Sequence, residues 1–120
     1  MELNIPKPSI ERRFGNMLKI DEDGCRRWHN EKDELHRDIG PAVEYSSGAK
    51  FWFINNKLHR EDGPAVDGSD GSKEWWINDQ LHRIDGPAVD WIGGNKEWWL
   101  DGIRYSEKEY REKVKKYVRD

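Results

Sequence analysis

Apolar material is scarce in this chain. Of 120 residues 34% are hydrophobic and 38% charged, with a mean hydropathy of -1.13, which suits one domain with a thin core. Cysteine is nearly absent. The single Cys25 excludes an intramolecular disulfide and, with no second thiol, a thiolate zinc cluster, so a reducing cytosol fits best. Arg26 and Arg27 beside it could lower its pKa, but a partly buried structural thiol is the better reading. No stretch approaches the ~18 apolar residues of a membrane span. Met1-Glu2-Leu3-Asn4-Ile5-Pro6 does not open a basic segment followed by an apolar one. The expectation is a soluble cytoplasmic protein with no membrane role. Basic charge is also in deficit: the net charge is -3, and residues 104–120 hold seven Lys or Arg against four Asp or Glu, leaving residues 1–103 at -6. Such a body does not attract a phosphate backbone, so general nucleic-acid binding is not expected.

What the chain has in excess is tryptophan and repetition. Seven Trp offset part of the apolar deficit, because one ring buries roughly 150 to 250 Å². The string Leu-His-Arg-x-x-Gly-Pro-Ala-Val occurs at Leu35, Leu58 and Leu81, a constant 23-residue step. A fixed period of this length signals a stack of one small unit, in which function is read from what each step presents.

Each unit offers two strand candidates. Gly-Pro-Ala-Val opens one, with Pro tolerated at a strand's first residue, and a run such as Lys73-Glu74-Trp75-Trp76-Ile77 makes the next. Turn residues separate them at Ser46-Ser47-Gly48, Gly68-Ser69-Asp70-Gly71 and Ile92-Gly93-Gly94-Asn95. On the other side they are Asn55-Asn56, Asn78-Asp79 and Asp101-Gly102. The pattern predicts a mostly β fold: a single-layer antiparallel meander of seven or eight short strands, two per repeat. Residues 1–16 read as an N-terminal arm, 17–34 as a degenerate first unit and 35–105 as three repeats. Residues 106–119 read as a capping α-helix, all within one domain. The first unit aligns Gly24 to Trp28 with Gly48 to Trp52 but needs one additional residue before Leu35. Ser106-Glu107-Lys108-Glu109 is a capping box. Tyr110, Val114, Tyr117 and Val118 then fall on one helical stripe that should dock on the last repeat and close the sheet edge.

The 23-residue step and the string Trp75-Trp76-Ile77-Asn78-Asp79-Gln80-Leu81-His82-Arg83-Ile84-Asp85-Gly86 resemble MORN repeats over roughly residues 24–105. The Leu-His-Arg-x-Asp-Gly-Pro-Ala and Lys-Glu-Trp-Trp wording is similar to a MORN-like variant seen in short proteins of tailed phages and large DNA viruses. The resemblance implies a non-enzymatic β-repeat scaffold and a viral accessory protein acting in the host cytoplasm. The chain departs from the family where His-Gly becomes His-Arg, where Pro follows the second Gly, and where Ile39 stands in place of Asp62 and Asp85. These departures argue against borrowing a membrane or lipid role, since none adds a basic lipid-facing row beyond one Arg per unit.

Strand alternation divides the aromatic residues into two sets. Trp52 with Ile54, Trp75 with Ile77 and Trp98 with Leu100 are assigned to the core. Phe53, Trp76 and Trp99, flanked by Glu74 and Glu97, form a second stripe recurring about every 10 Å. That stripe either lies under the N-terminal arm or C-terminal helix, or pads a small domain short of core, or serves as a recognition surface, since Trp and Arg are favoured interface anchors.

His36, His59 and His82 are too far apart for one metal site, because equivalent atoms sit about 10 Å apart and zinc holds nitrogen at ~2.1 Å. Each is expected to bond a turn carbonyl or to pack beside Leu and Pro. Arg37, Arg60 and Arg83 are expected to pair with Asp38, Asp62 and Asp85 inside their loops. The alternative is a row of cations that clamps phosphate or carboxylate. No nucleophile and base converge, so no catalytic residue, cofactor or metal is assigned.

The leading expectation is therefore a protein-binding module, a phage-type accessory or inhibitor protein that binds a host protein through Phe53, Trp76 and Trp99. Two alternatives stand beside it: sequestration of a nucleotide or other small anion by Trp platforms with the Arg and His rows, and a structural assembly protein. Homo-oligomerisation stays open.

Overall fold

The computed structural model describes residues 16–118. The arm expected at residues 1–16 therefore lies outside the described residues, except for Asn16, and so does residue 119 of the expected helix.

The strands are β1 (Met17–Ile20), β2 (Arg26–His29), β3 (Val43–Glu44), β4 (Lys50–Phe51), β5 (Phe53–Ile54), β6 (Lys57–Leu58) and β7 (Val66–Asp67). They continue with β8 (Lys73–Glu74), β9 (Trp76–Ile77), β10 (Gln80–Leu81), β11 (Val89–Asp90), β12 (Lys96–Leu100) and β13 (Ile103–Tyr105). Helix α1 (Glu107–Lys113) and a 3-10 turn, Val114–Lys116, follow. Nine strands form one antiparallel sheet in the order β1-β2-β3-β4-β7-β8-β11-β12-β13, while β5-β6 and β9-β10 form two small ladders. The fold is thus the expected long antiparallel sheet of hairpins with a C-terminal helix.

The strand count is a correction, since the expected seven or eight become thirteen. The cause lies at Trp52 and Trp75. The Trp52 amide donates to the Ala65 carbonyl at 2.7 Å, while its own carbonyl accepts from His59 N at 3.0 Å. The chain changes pairing partner at that residue: β4 pairs with β3 and β7, whereas β5 pairs with β6. Trp75 repeats the switch with Ala88 and His82. In the last unit no Leu-His-Arg loop follows, so β12 runs unbroken and pairs with β13. Trp28 makes the same two bonds, to Ala42 and from His36, which establishes the first unit's alignment. Its additional residue is absorbed in the turn at 30–34, where Asn30 Oδ1 accepts from the amides of Lys32 and Glu34 and Asp33 takes a φ of 63°.

The register makes the two faces of the sheet chemically different. Along one face the paired residues are Arg26, Glu44, Lys50, Asp67, Lys73, Asp90 and Lys96. Charge alternates at every step, and directly opposed unlike charges favour that register. Along the other face, Arg27, Val43, Phe51, Val66, Glu74, Val89 and Glu97 follow one another. Asn55-Asn56, Asn78-Asp79 and Asp101-Gly102 all have positive φ, the two-residue hairpin geometry that matches strand twist.

The helix begins as expected, with the Ser106 and Glu109 capping box formed, but it ends at Lys113, six residues short of the expected 119. Only Tyr110 is buried on the sheet, while Tyr117 and Val118 are 41% and 50% exposed. The 3-10 turn redirects the chain, so Tyr117 meets the hairpin end instead. Its hydroxyl donates to Asp101 and its ring meets the His82 ring edge-on at 5.5 Å.

Candidate functional site

The repeated string is explained almost letter by letter. Arg37, Arg60 and Arg83 lay their guanidinium carbons 3.7, 3.9 and 3.7 Å from the ring centres of Trp28, Trp52 and Trp75. Each Nη1 donates at 3.1 Å to the carbonyl of Pro41, Pro64 or Pro87. Gly lets it lie there: a Cβ on Gly63 or Gly86 would sit 2.8 or 2.9 Å from the guanidinium carbon and would push the stacked arginine aside. Ala42, Ala65 and Ala88 are fully buried, which leaves no room for a larger side chain.

Arg60 and Arg83 also form the expected loop ion pairs, to Asp62 at 3.0 Å and Asp85 at 2.9 Å. Arg37 does not pair with Asp38. Ile39 stands where the other loops have Asp, so Arg37 reaches Glu44 at 3.5 Å, while Asp38 bonds His36 at 2.7 Å. The guanidiniums are therefore already committed to a ring face, a carbonyl and a carboxylate of their own chain.

The histidines are placed differently from expectation. Nδ1 of His36, His59 and His82 accepts the backbone amide proton of Asn55, Asn78 and Asp101 at 3.0, 3.0 and 2.9 Å. The partner is a turn N–H of the following unit rather than a carbonyl, so each imidazole ties one unit to the next. Asn56 and Asp79 return the link, their side chains accepting from the Leu35 and Leu58 amides. Open grooves of about 730 and 750 Å³ separate successive loops, floored by Trp52 and by Trp75. No group of three or more His, Cys, Asp or Glu able to hold a metal occurs among the described residues.

Of the residues assigned to the core, only Leu100, at 2% exposed, is buried, and Trp52, Ile54, Trp75, Ile77 and Trp98 are half-buried. A one-layer sheet has no second layer to bury them, and arginine serves as the cover. Tyr110 takes that place at the last unit: its ring centre lies 5.0 Å from that of Trp98, and its hydroxyl donates to the Arg83 carbonyl and accepts from Gly86 N. Burial pushes its phenol pKa up. The helix thus sits on the Trp98 face, opposite to Trp99.

Trp76 and Trp99 are half-buried on that opposite face, beside Glu74 and Glu97; Phe53, half-buried at the equivalent position of its repeat, also lines the groove between the Arg37 and Arg60 loops. The Trp76 indole donates to Glu74 Oε1 at 2.7 Å, and that of Trp99 to Glu97 Oε1 at 2.9 Å. Trp91, 42% exposed, reaches Glu97 Oε2 at 3.4 Å. Tyr45 stands edge-on to Phe51 at 5.5 Å. Trp91, Tyr45 and Phe51 extend the stripe beyond the three residues read from the sequence. Alternation could have found the first two, since each lies two positions beyond Val89 or Val43 and so shares its face. Elsewhere, Cys25 is buried, and burial lowers the pKa of His29, whose Nδ1 has no partner.

No family model, curated protein or solved structure matches this chain. No helix among the described residues is long and apolar enough to cross a membrane.

Proposed function

We propose that this chain is a non-enzymatic protein-binding module whose contact surface is the face carrying Phe53, Trp76 and Trp99. The observation that carries the reading is a difference in what meets the rings. Both sets are half-buried, but Trp52, Trp75 and Trp98 are stacked by arginine or Tyr110, while among the described residues the Trp76 and Trp99 indoles meet only a glutamate side chain in a hydrogen bond. Broad rings held at regular spacing by a hydrogen-bonded sheet suit interface anchors, because little side-chain freedom is lost on binding. The engagement of Arg37, Arg60 and Arg83 within their own loops favours this reading over sequestration of a nucleotide or other anion. Taken with the resemblance to MORN-like proteins of phages and large DNA viruses, the partner would be a host protein and the role accessory or inhibitory, in the host cytoplasm. Capture from host lysate by the intact chain is compared with capture by Trp76→Ala and Trp99→Ala. The expected outcome is loss of one specific partner with the fold retained by circular dichroism. Unchanged capture by a folded double variant would remove the assignment.

A further inference from the structure

The same sheet that stacks arginine on tryptophan on one face carries an incomplete version of that arrangement on the other. On the first face the parts are a Trp ring, a carboxylate and the chain's own guanidinium, as in Trp52, Asp62 and Arg60. On the second face Trp76 with Glu74, and Trp99 with Glu97, supply ring and carboxylate joined by the indole hydrogen bond. No Lys or Arg among the described residues stacks on either ring or pairs with either glutamate. Arg104 is the register partner of Trp99 yet makes neither contact.

Glu74 and Glu97 are half-buried, so their charge is partly removed from water without a cation to offset it, and a cation arriving over the ring relieves that cost. We propose, resting on the protein-binding reading above, that the partner inserts two arginine side chains, one over Trp76 against Glu74 and one over Trp99 against Glu97. Both glutamates are register partners of Val89, which places them two strands apart, about 10 Å. Arginines seven residues apart on a helix stand about 10.5 Å apart on one face, so a basic helix matches the pair. Planar guanidinium suits the site better than lysine, because it can lie on the ring and bond the carboxylate at once.

The probe is an alanine- and glutamine-based helical peptide with two arginines seven residues apart, titrated into the full chain. Binding is followed by the indole N–H signals of Trp76 and Trp99 in nitrogen-proton spectra, assigned with Trp→Phe variants. The expected result is movement of those two signals, at least tenfold weaker binding of the matching lysine peptide, and at least tenfold weaker binding to Glu74→Gln/Glu97→Gln. Glutamine keeps one acceptor for the Trp76 or Trp99 indole and removes the charge; at position 97 it also gives up the longer Trp91 contact of 3.4 Å, so Trp91→Phe is the control for that loss. Equal binding to the Gln variant, or shifts confined to the Trp52, Trp75 and Trp98 signals, would overturn the proposal. Partner capture from lysate separates it from the broader reading. Loss with the Trp→Ala variants but not with the Gln variant keeps protein binding and removes the basic partner, whereas no loss with either removes both.

Discussion

The two faces of this sheet use tryptophan for opposite purposes, although the residues concerned are adjacent in the chain. Trp75 lies under Arg83, which is fixed by Asp85 and the Pro87 carbonyl. The indole of Trp76, one residue later, donates to Glu74 and carries no stacked cation among the described residues. A single-layer sheet cannot bury both sides with its own hydrophobic residues, so on one face charged side chains stack and hydrogen-bond over half-buried rings. On the other, half-buried rings meet glutamate and no stacked cation among the described residues. The arginine rows are engaged within their own loops, and the aromatic stripe is the surface proposed above for recognition.

The largest test of that contrast is to remove the cover. Arg60→Ala takes away the stacking on Trp52, a charge-assisted carbonyl bond and a partly exposed ion pair, a loss of about 2 to 3 kcal/mol, readable by urea denaturation. Gly63→Ala should reproduce part of it, about 1 to 2 kcal/mol, because the added Cβ displaces the same guanidinium. By contrast, Trp76→Phe should cost under about 1 kcal/mol, losing one indole bond while keeping most of the ring, yet it should weaken partner capture. If Trp76→Phe destabilised the chain as much as Arg60→Ala, the division between a structural and a recognition face would fail.

The loops offer a finer comparison. Arg37 lacks the carboxylate that Asp62 and Asp85 supply to their arginines, and Ile39 in its place is 85% exposed. Ile39→Asp should raise stability by about 0.5 kcal/mol, a small increase in melting temperature that high salt removes.

The smallest expected effect is on pH. Burial, and then Lys19, hold the His29 pKa below its ordinary 6.5. The unfolded chain therefore takes up that proton first, and stability declines as pH falls below 6.5. A second decline follows in the carboxylate range. Asp21 is held low by the Arg27 hydrogen bond, Asp33 by that of Lys19 and Asp70 by the Ser72 amide. Their contribution is present above the ordinary carboxylate value of 3.8 and is lost as pH falls through their lower folded values. His29→Gln should flatten the first decline and leave the second.

Much of this architecture was legible in the residues. The 23-residue step, the hairpin turns at Asn55-Asn56, Asn78-Asp79 and Asp101-Gly102, the capping box at Ser106 and the alternation of Trp75 with Trp76 all rest on local rules of spacing and backbone preference. The faces of the stripe residues followed from the same period of two. The sequence could not reveal the partner switch at Trp52 and Trp75, because it depends on where the next unit's loop returns. Nor could it show that the histidines accept turn amides 19 residues away. The assignment of Trp52, Trp75 and Trp98 to a buried core overlooked that one layer of strands has nothing to bury them with. Local pattern determined the repeat, the strands and their two faces. Only the tertiary structure decided which face is covered, because cover comes from side chains that the folded sheet brings over the ring, Arg60 over Trp52 and Tyr110 against Trp98.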